Sequence, residues 1–171
     1  MKAGNSYTLG GAALQGVQGR ASVIFGPGGT VSDSIHVNQI GYAPQALKKY
    51  AYLSAWMGDL GGLSLDKEVT GGFKILERST GRVVFNGMPK LRKAAGAEPY
   101  GGQPNELQHW RADLWECDFS AFNTPGEYVI KVDRLGISYP FKIDRDVYRE
   151  PFVAVMRGLY HNRCGTDRKK P

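Results

Sequence analysis

Alternation of apolar and polar positions is clearest between residues 109 and 143. Tyr128, Ile130 and Val132 share one face of an extended chain, and Glu127, Val129 and Lys131 the other. Ile137, Tyr139, Phe141 and Ile143 repeat the pattern against Ser138, Pro140 and Lys142. A period of two predicts half-buried strands. Thr124-Pro125-Gly126 predicts a turn before the middle strand, and Asp133-Arg134-Leu135-Gly136 a hairpin connection after it. Trp110, Ala112 and Leu114 lead a preceding strand. Its apolar phase shifts at Trp115 and Phe119, which fits either a bulge or a second buried face.

Earlier in the chain, residues 34–42 (SIHVNQIGY) predict a strand that Pro44 ends, because proline has no N–H for a ladder. Residues 49–56 (KYAYLSAW) predict another. Ala51, Leu53 and Ala55 form one of its faces, with Tyr50, Tyr52 and Trp56 on the other, so it takes a central position. Residues 58–72 are a polar, Gly-rich loop. Phe73 and Ile75 match Val83 and Phe85 across Ser79-Thr80-Gly81, a hairpin. Residues 87–106 are a long polar connection. Residues 1–33 are Gly/Ser/Ala-rich, a leader or linker with one short strand near 21–25.

The period changes after Ile143. Phe152, Val155, Met156, Leu159 and Tyr160 recur at i, i+3, i+4, i+7 and i+8, which predicts a helix with one apolar stripe over about residues 146–163. Residues 144–146 (DRD) supply N-cap candidates, Pro151 fits a first turn, and Gly165 is a C-cap candidate. The whole is an all-β chain of about seven short strands, the size and spacing of an immunoglobulin-like sandwich, followed by one helix. The antibody Cys…Trp…Cys spacing is absent, so an apolar core must hold the sandwich. The expected division is 1–33 leader, 34–144 sandwich and 145–171 the start of a second domain.

Length and composition fit this reading. The chain has 171 residues, with 23 Gly and 9 Pro for its turns. No apolar run reaches the roughly 18 residues of a membrane span, and no signal-peptide h-region follows Met1. The net charge is +6. Apart from Lys90-Leu91-Arg92-Lys93 and residues 168–170 the basic residues are scattered, which argues against a nucleic-acid stripe. Cys117 and Cys164 read as two free thiols rather than a bridge.

Candidate chemistry is sparse. No nucleophile elbow, P-loop, dinucleotide fingerprint or paired-histidine metal motif occurs. His36 and His109 read as ordinary strand histidines. His161 and Cys164 lie three apart, but two ligands do not make a zinc site, and helix-end packing is the plainer role for Cys164. Asp113, Glu116 and Asp118 form the densest acidic cluster, and their strand spacing reads as surface charge. Tyr50, Tyr52, Trp56, Trp110 and Trp115 could stack on sugar rings, although packing is the commoner fate of sandwich aromatics.

Three motifs in order carry a resemblance. Val37-Asn38-Gln39-Ile40-Gly41-Tyr42, followed by Pro44 and Lys48-Lys49, resembles the opening of the immunoglobulin-like domain that precedes the catalytic domain of glycoside hydrolase family 9 cellulases. Asp118-Phe119-Ser120 with Pro125-Gly126-Glu127-Tyr128 is similar to that domain's late motif. Tyr160-His161-Asn162-Arg163-Cys164-Gly165 resembles the end of the first helix of the family's (α/α)6 barrel. The resemblance covers residues 34–165. It implies an N-terminal module that stabilises the barrel of a secreted, inverting endo-β-1,4-glucanase, with the barrel supplied by missing downstream chain or a separate piece. It implies β-glucan as substrate through that barrel, and no nucleic-acid or membrane partner. Catalysis there needs two carboxylates, one activating water and one protonating the leaving oxygen. Both family motifs are absent here, so no residue is assigned as catalytic or substrate-binding, and the 171-residue chain alone is expected to be inactive. Zinc or calcium is implied only for the complete enzyme, with Cys164 a ligand only beside residues outside this chain. The alternative is a stand-alone glycan-binding or protein-binding immunoglobulin-like module.

Overall fold

The computed structural model of the chain describes residues 6–10, 20–26, 28–95 and 112–162. Two antiparallel sheets pack face to face around one core. The first contains β6 (Phe73–Glu77), β7 (Val83–Gly87), β10 (Gly126–Val132), β11 (Gly136–Ile137) and β12 (Phe141–Ile143). Its order is β11-β10-β6-β7, with β12 also paired to β10. The second, in the order β4-β5-β9-β8, contains β4 (Ile35–His36), β5 (Tyr50–Leu53), β8 (Lys90–Lys93) and β9 (Leu114–Asp118). A third sheet joins β1 (Ser6–Gly10), β2 (Arg20–Gly26) and β3 (Gly29–Thr30). From there the chain runs onto the sandwich, where the Ser32 N–H donates to the Ile137 carbonyl at 2.8 Å. One helix, α1 (Arg149–Asn162), follows β12.

The core explains why the chain's motifs are spaced as they are. Tyr42, Phe119, Tyr128 and Phe141 come from four separate segments and meet in one aromatic cluster. Tyr42 sits edge-on to Phe119 at 5.0 Å and to Phe141 at 5.5 Å between ring centroids. Phe122 meets Tyr128 edge-on at 5.1 Å. Such pairs contribute about 0.5–1.5 kcal/mol each beyond their area burial. Ile35, Leu53, Phe73, Ile75, Ile130 and Ile143 fill the remainder. A smaller cluster of Leu76, Val129 and Ile137, with Val31 against it, lies on the opposite side of the first sheet.

Several expectations are corrected. The strand over residues 34–42 is only Ile35–His36. Asn38 ends it by taking backbone partners for its own side chain: its Nδ2 donates to the Gly41 carbonyl at 2.9 Å and its Oδ1 accepts from the Ile40 N–H at 3.1 Å. The alternation from Ile137 to Ile143 is not continuous. Ile137 belongs to the smaller cluster, whereas Phe141 and Ile143 belong to the main core. The slip falls at Ser138, a buried residue whose Oγ accepts the Ile130 N–H at 2.9 Å in place of a ladder carbonyl. The core face of β9 carries Trp115 and Cys117, continued by Phe119 just past its end, and the register irregularity lies across from it, between Leu91 and Lys93 of β8. Strand β8 itself falls inside the segment expected to be a polar connection. β1 also was not anticipated, while β2 covers the short leader strand that was. β5 is shorter than residues 49–56 but is an inner strand, as expected. The Phe73/Val83 hairpin forms with Ile75 opposite Phe85 and a bulge after it.

Candidate functional surfaces

The loop from Asn38 to Tyr42 sets the direction of α1. The Tyr42 N–H donates to the Lys142 carbonyl at 2.8 Å, and the Asp144 N–H returns a bond to the Tyr42 carbonyl at 3.1 Å. Gly41 lies between them with φ +119°, and a side chain there would strike the Lys142 carbonyl and Val147. The Tyr148 hydroxyl donates to the Gly41 carbonyl at 3.0 Å. The Asp144 carboxylate accepts the Asp146 N–H at 2.7 Å, turning the chain into the helix. Pro151 stands in the first turn, as expected.

Beyond that pivot α1 stands largely in solvent. None of its residues is buried. Phe152, Val155, Met156, Leu159 and Tyr160 are 48–64% exposed. Beneath the first turn lies a groove of about 530 Å³ bordered by Gln39, Ile40, Phe141 and Val147. Glu127 stands at its edge between Arg78 at 2.9 Å and Lys142 at 3.3 Å. Lys142 and Arg78 hold the Glu127 carboxyl below the usual range.

The acidic cluster does not converge. Glu116 pairs with Arg92, the Asp118 carboxylate accepts the Ser120 N–H, and the Asp113 carboxylate accepts the Ala95 N–H. The Ser120 bonds lower the Asp118 pKa. Each of the three carboxylates thus has its own separate partner. His36 is exposed, its Nε2 3.2 Å from the Ser54 carbonyl. His161 is exposed against Tyr160. Cys164, Gly165, His109 and Trp110 lie outside the described residues. Among the described residues, no three His, Cys, Asp or Glu side chains are placed to hold a metal, and no helix is long and apolar enough to cross a membrane.

Sequence reasoning missed Lys49. It is fully buried, and its Nζ donates to the Pro44 and Ala46 carbonyls at 3.1 and 2.9 Å and to Asn123 Oδ1 at 2.9 Å. Burial lowers its pKa, with Asp118 opposing. Lys49 follows Pro44 in the first motif, and that proximity was the available signal. Its three neutral acceptors make it a loop clamp.

Fold and surfaces together define a β-sandwich module that displays no catalytic constellation among its described residues and presents a helix with its apolar stripe uncovered. The family described as "Cellulase N-terminal ig-like domain" matches residues 30–136. The chain belongs to this family. It is 45% identical over 54 residues to Endoglucanase D of Acetivibrio thermocellus, covering 32% of this chain and 9% of that protein. Among solved structures it is similar to a metagenome-derived glycoside hydrolase family 9 endoglucanase (26% identity, TM-score 0.55, 80% of this chain and 22% of that one). It is also similar to a family 9 protein of Bacteroides ovatus (25% identity, TM-score 0.51, 75% of this chain and 19% of that one). The chain thus spans about a tenth of the curated relative and about a fifth of the solved ones.

Proposed function

We propose that this chain serves as the N-terminal structural module of an inverting, secreted endo-β-1,4-glucanase of family 9. In this reading residues 34–144 are the sandwich and residues 145–171 open an (α/α)6 catalytic barrel. The barrel is the sandwich's partner, and β-glucan is bound and hydrolysed there. The observation that carries the reading is α1: an amphipathic helix aimed by Gly41 and Tyr148, with its whole stripe in water. Leaving such side chains exposed forgoes roughly 1.5–3 kcal/mol each relative to burial. The chemistry needs one carboxylate to activate water and another to protonate the leaving oxygen, both from the barrel. Zinc or calcium and a ligand role for Cys164 belong to that larger assembly.

The test has two arms. The 171-residue chain alone is expected to release no reducing sugar from carboxymethyl cellulose above a heat-killed control. Joined in one polypeptide to a family 9 catalytic domain, it is expected to raise that domain's Tm by about 4 °C or more. Activity of the chain alone, or a joined protein no more stable than the catalytic domain by itself, overturns the reading.

A further inference from the structure

Strand β5 continues past Leu53 into a hairpin of its own. The Leu63 N–H donates to the Ala55 carbonyl at 3.0 Å, the Met57 N–H donates to the Gly61 carbonyl at 2.8 Å, and Trp56 pairs with Gly62. Ala51, Leu53 and Ala55 are buried, so Tyr50, Tyr52, Ser54 and Trp56 belong to the outer face. Gly62 has no side chain to cover the indole from the opposite strand, and Trp56 is 54% exposed. Beside it opens a groove of about 770 Å³. Tyr52 contributes from β5, Met57 from the hairpin, and Asp33, His36 and Ser54 contribute polar groups.

Three observations narrow the occupant. The volume falls in the roughly 300–1,000 Å³ class of small-ligand sites, and an apolar wall with a few converging polar groups is how such sites are built. Among the described residues no lysine or arginine lines the groove, although the chain carries a net charge of +6. Arg92, which lies over the Tyr52 ring, is already paired with Glu116, so the described wall offers an anion no free charge partner. Finally, an exposed indole wants a flat apolar face, while the Ser54 hydroxyl, and Asp33 and His36 beyond the bonds they already make to Tyr139 and the Ser54 carbonyl, can take hydroxyl partners. A neutral pyranose ring offers both, C–H bonds on its face and hydroxyls at its rim. Tyr52 and Trp56 lie four residues apart on one strand face, roughly 13 Å, more than one sugar ring.

We infer that this groove binds a short stretch of neutral pyranoside chain, with Trp56 as the stacking platform and Tyr52, Ser54, Asp33 and His36 beside it. The site is independent of the helix. Tyr42, whose carbonyl starts the turn toward α1, bonds the Tyr50 carbonyl at 2.6 Å, so α1 leaves from the Tyr50 end of β5. Trp56 is six residues along, roughly 20 Å away.

The experiment is titration of the 171-residue chain with cellohexaose, xylohexaose and mannohexaose, followed by calorimetry and ligand-observed NMR. At least one is expected to bind with Kd of about 1 mM or tighter. Trp56→Ala is expected to weaken it tenfold or more at unchanged Tm, while Trp56→Phe, which keeps a ring face, stays within about threefold. No binding of any of the three up to about 10 mM, or equal binding by Trp56→Ala, overturns the inference. So does self-association of the wild type that Trp56→Ala abolishes, since the groove is then a protein contact. None of these outcomes touches the reading of α1, which is tested at the other end of the sandwich.

Discussion

Lys49 and Ser138 are the polar side chains wholly buried among the described residues, and both substitute for backbone. Lys49 ties the Pro44–Ala46 turn to Asn123, and its own N–H donates to Ser120 Oγ at 2.9 Å. Lys49→Met keeps the stem but strands three acceptors. It is expected to cost about 2–4 kcal/mol in urea unfolding. An unchanged midpoint would show that water replaces the ammonium without loss. Cys117 supplies a pH dependence. It is a buried free thiol, and burial pushes its pKa up to about 12. Burial likewise lifts Tyr42 to about 12. In both the folded pKa lies above the unfolded one, so their contribution is complete below the unfolded values and drains away as pH rises toward about 12. The sandwich is expected to lose stability steadily above about pH 9, and Cys117→Ala is expected to flatten part of that decline. A pH-independent midpoint between about 8 and 11 would refute the burial argument. In the folded state at about pH 8, Cys117 is expected to react with thiol reagents only at the rate of unfolding.

Among the elements, legibility tracks how local the cause is. β10 was plain because its neighbours impose a strict period of two over seven residues, with Tyr128, Ile130 and Val132 on the core side. β8 was hidden because it holds Lys90, Arg92 and Lys93, residues that blunt an edge strand and read as loop. The slip at Ser138 was hidden because a hydroxyl standing in for a carbonyl leaves no mark on the apolar pattern. The uncovered groove at Trp56 was half legible: the aromatic row of β5 could be read, but Gly62 opposite the indole is a pairing fact. Gly41 makes the corresponding prediction for the pivot. Its positive φ and the crowding against Lys142 and Val147 exclude any side chain. Gly41→Ala is expected to cost about 2 kcal/mol or more, read as a lower Tm, because backbone strain and collision add. Tyr148→Phe removes only the bond to the Gly41 carbonyl, and is expected to cost about 1 kcal/mol while loosening the angle of α1. A Gly41→Ala protein with wild-type Tm would mean the pivot can yield.

At the scale of the whole molecule, the sandwich and α1 are joined at one pivot, and no residue of α1 is buried. The aromatic cluster unites the three motif-bearing segments of the sandwich, and their loss is felt throughout it. The stripe of α1 is about half or more exposed along its length, so its removal is expected to be felt little in the chain alone. A lone helix of 14 residues is marginal in water without tertiary partners. Hydrogen exchange of the isolated chain is therefore expected to split into two classes. Amides of β6 and β10 should exchange only through global unfolding, and those of α1 through local opening at far lower cost. Phe152→Ser with Leu159→Ser, two changes that would ruin a core helix, is expected to leave the Tm of the isolated chain within about 1 °C, since both side chains are already more than 60% exposed. In the joined protein the same pair is expected to cost several degrees, because there the stripe is covered. A large Tm drop in the isolated chain would show that α1 folds back on its own sandwich. A pair with no effect in either protein would show that the stripe faces water in both, leaving the barrel without a contact on this helix.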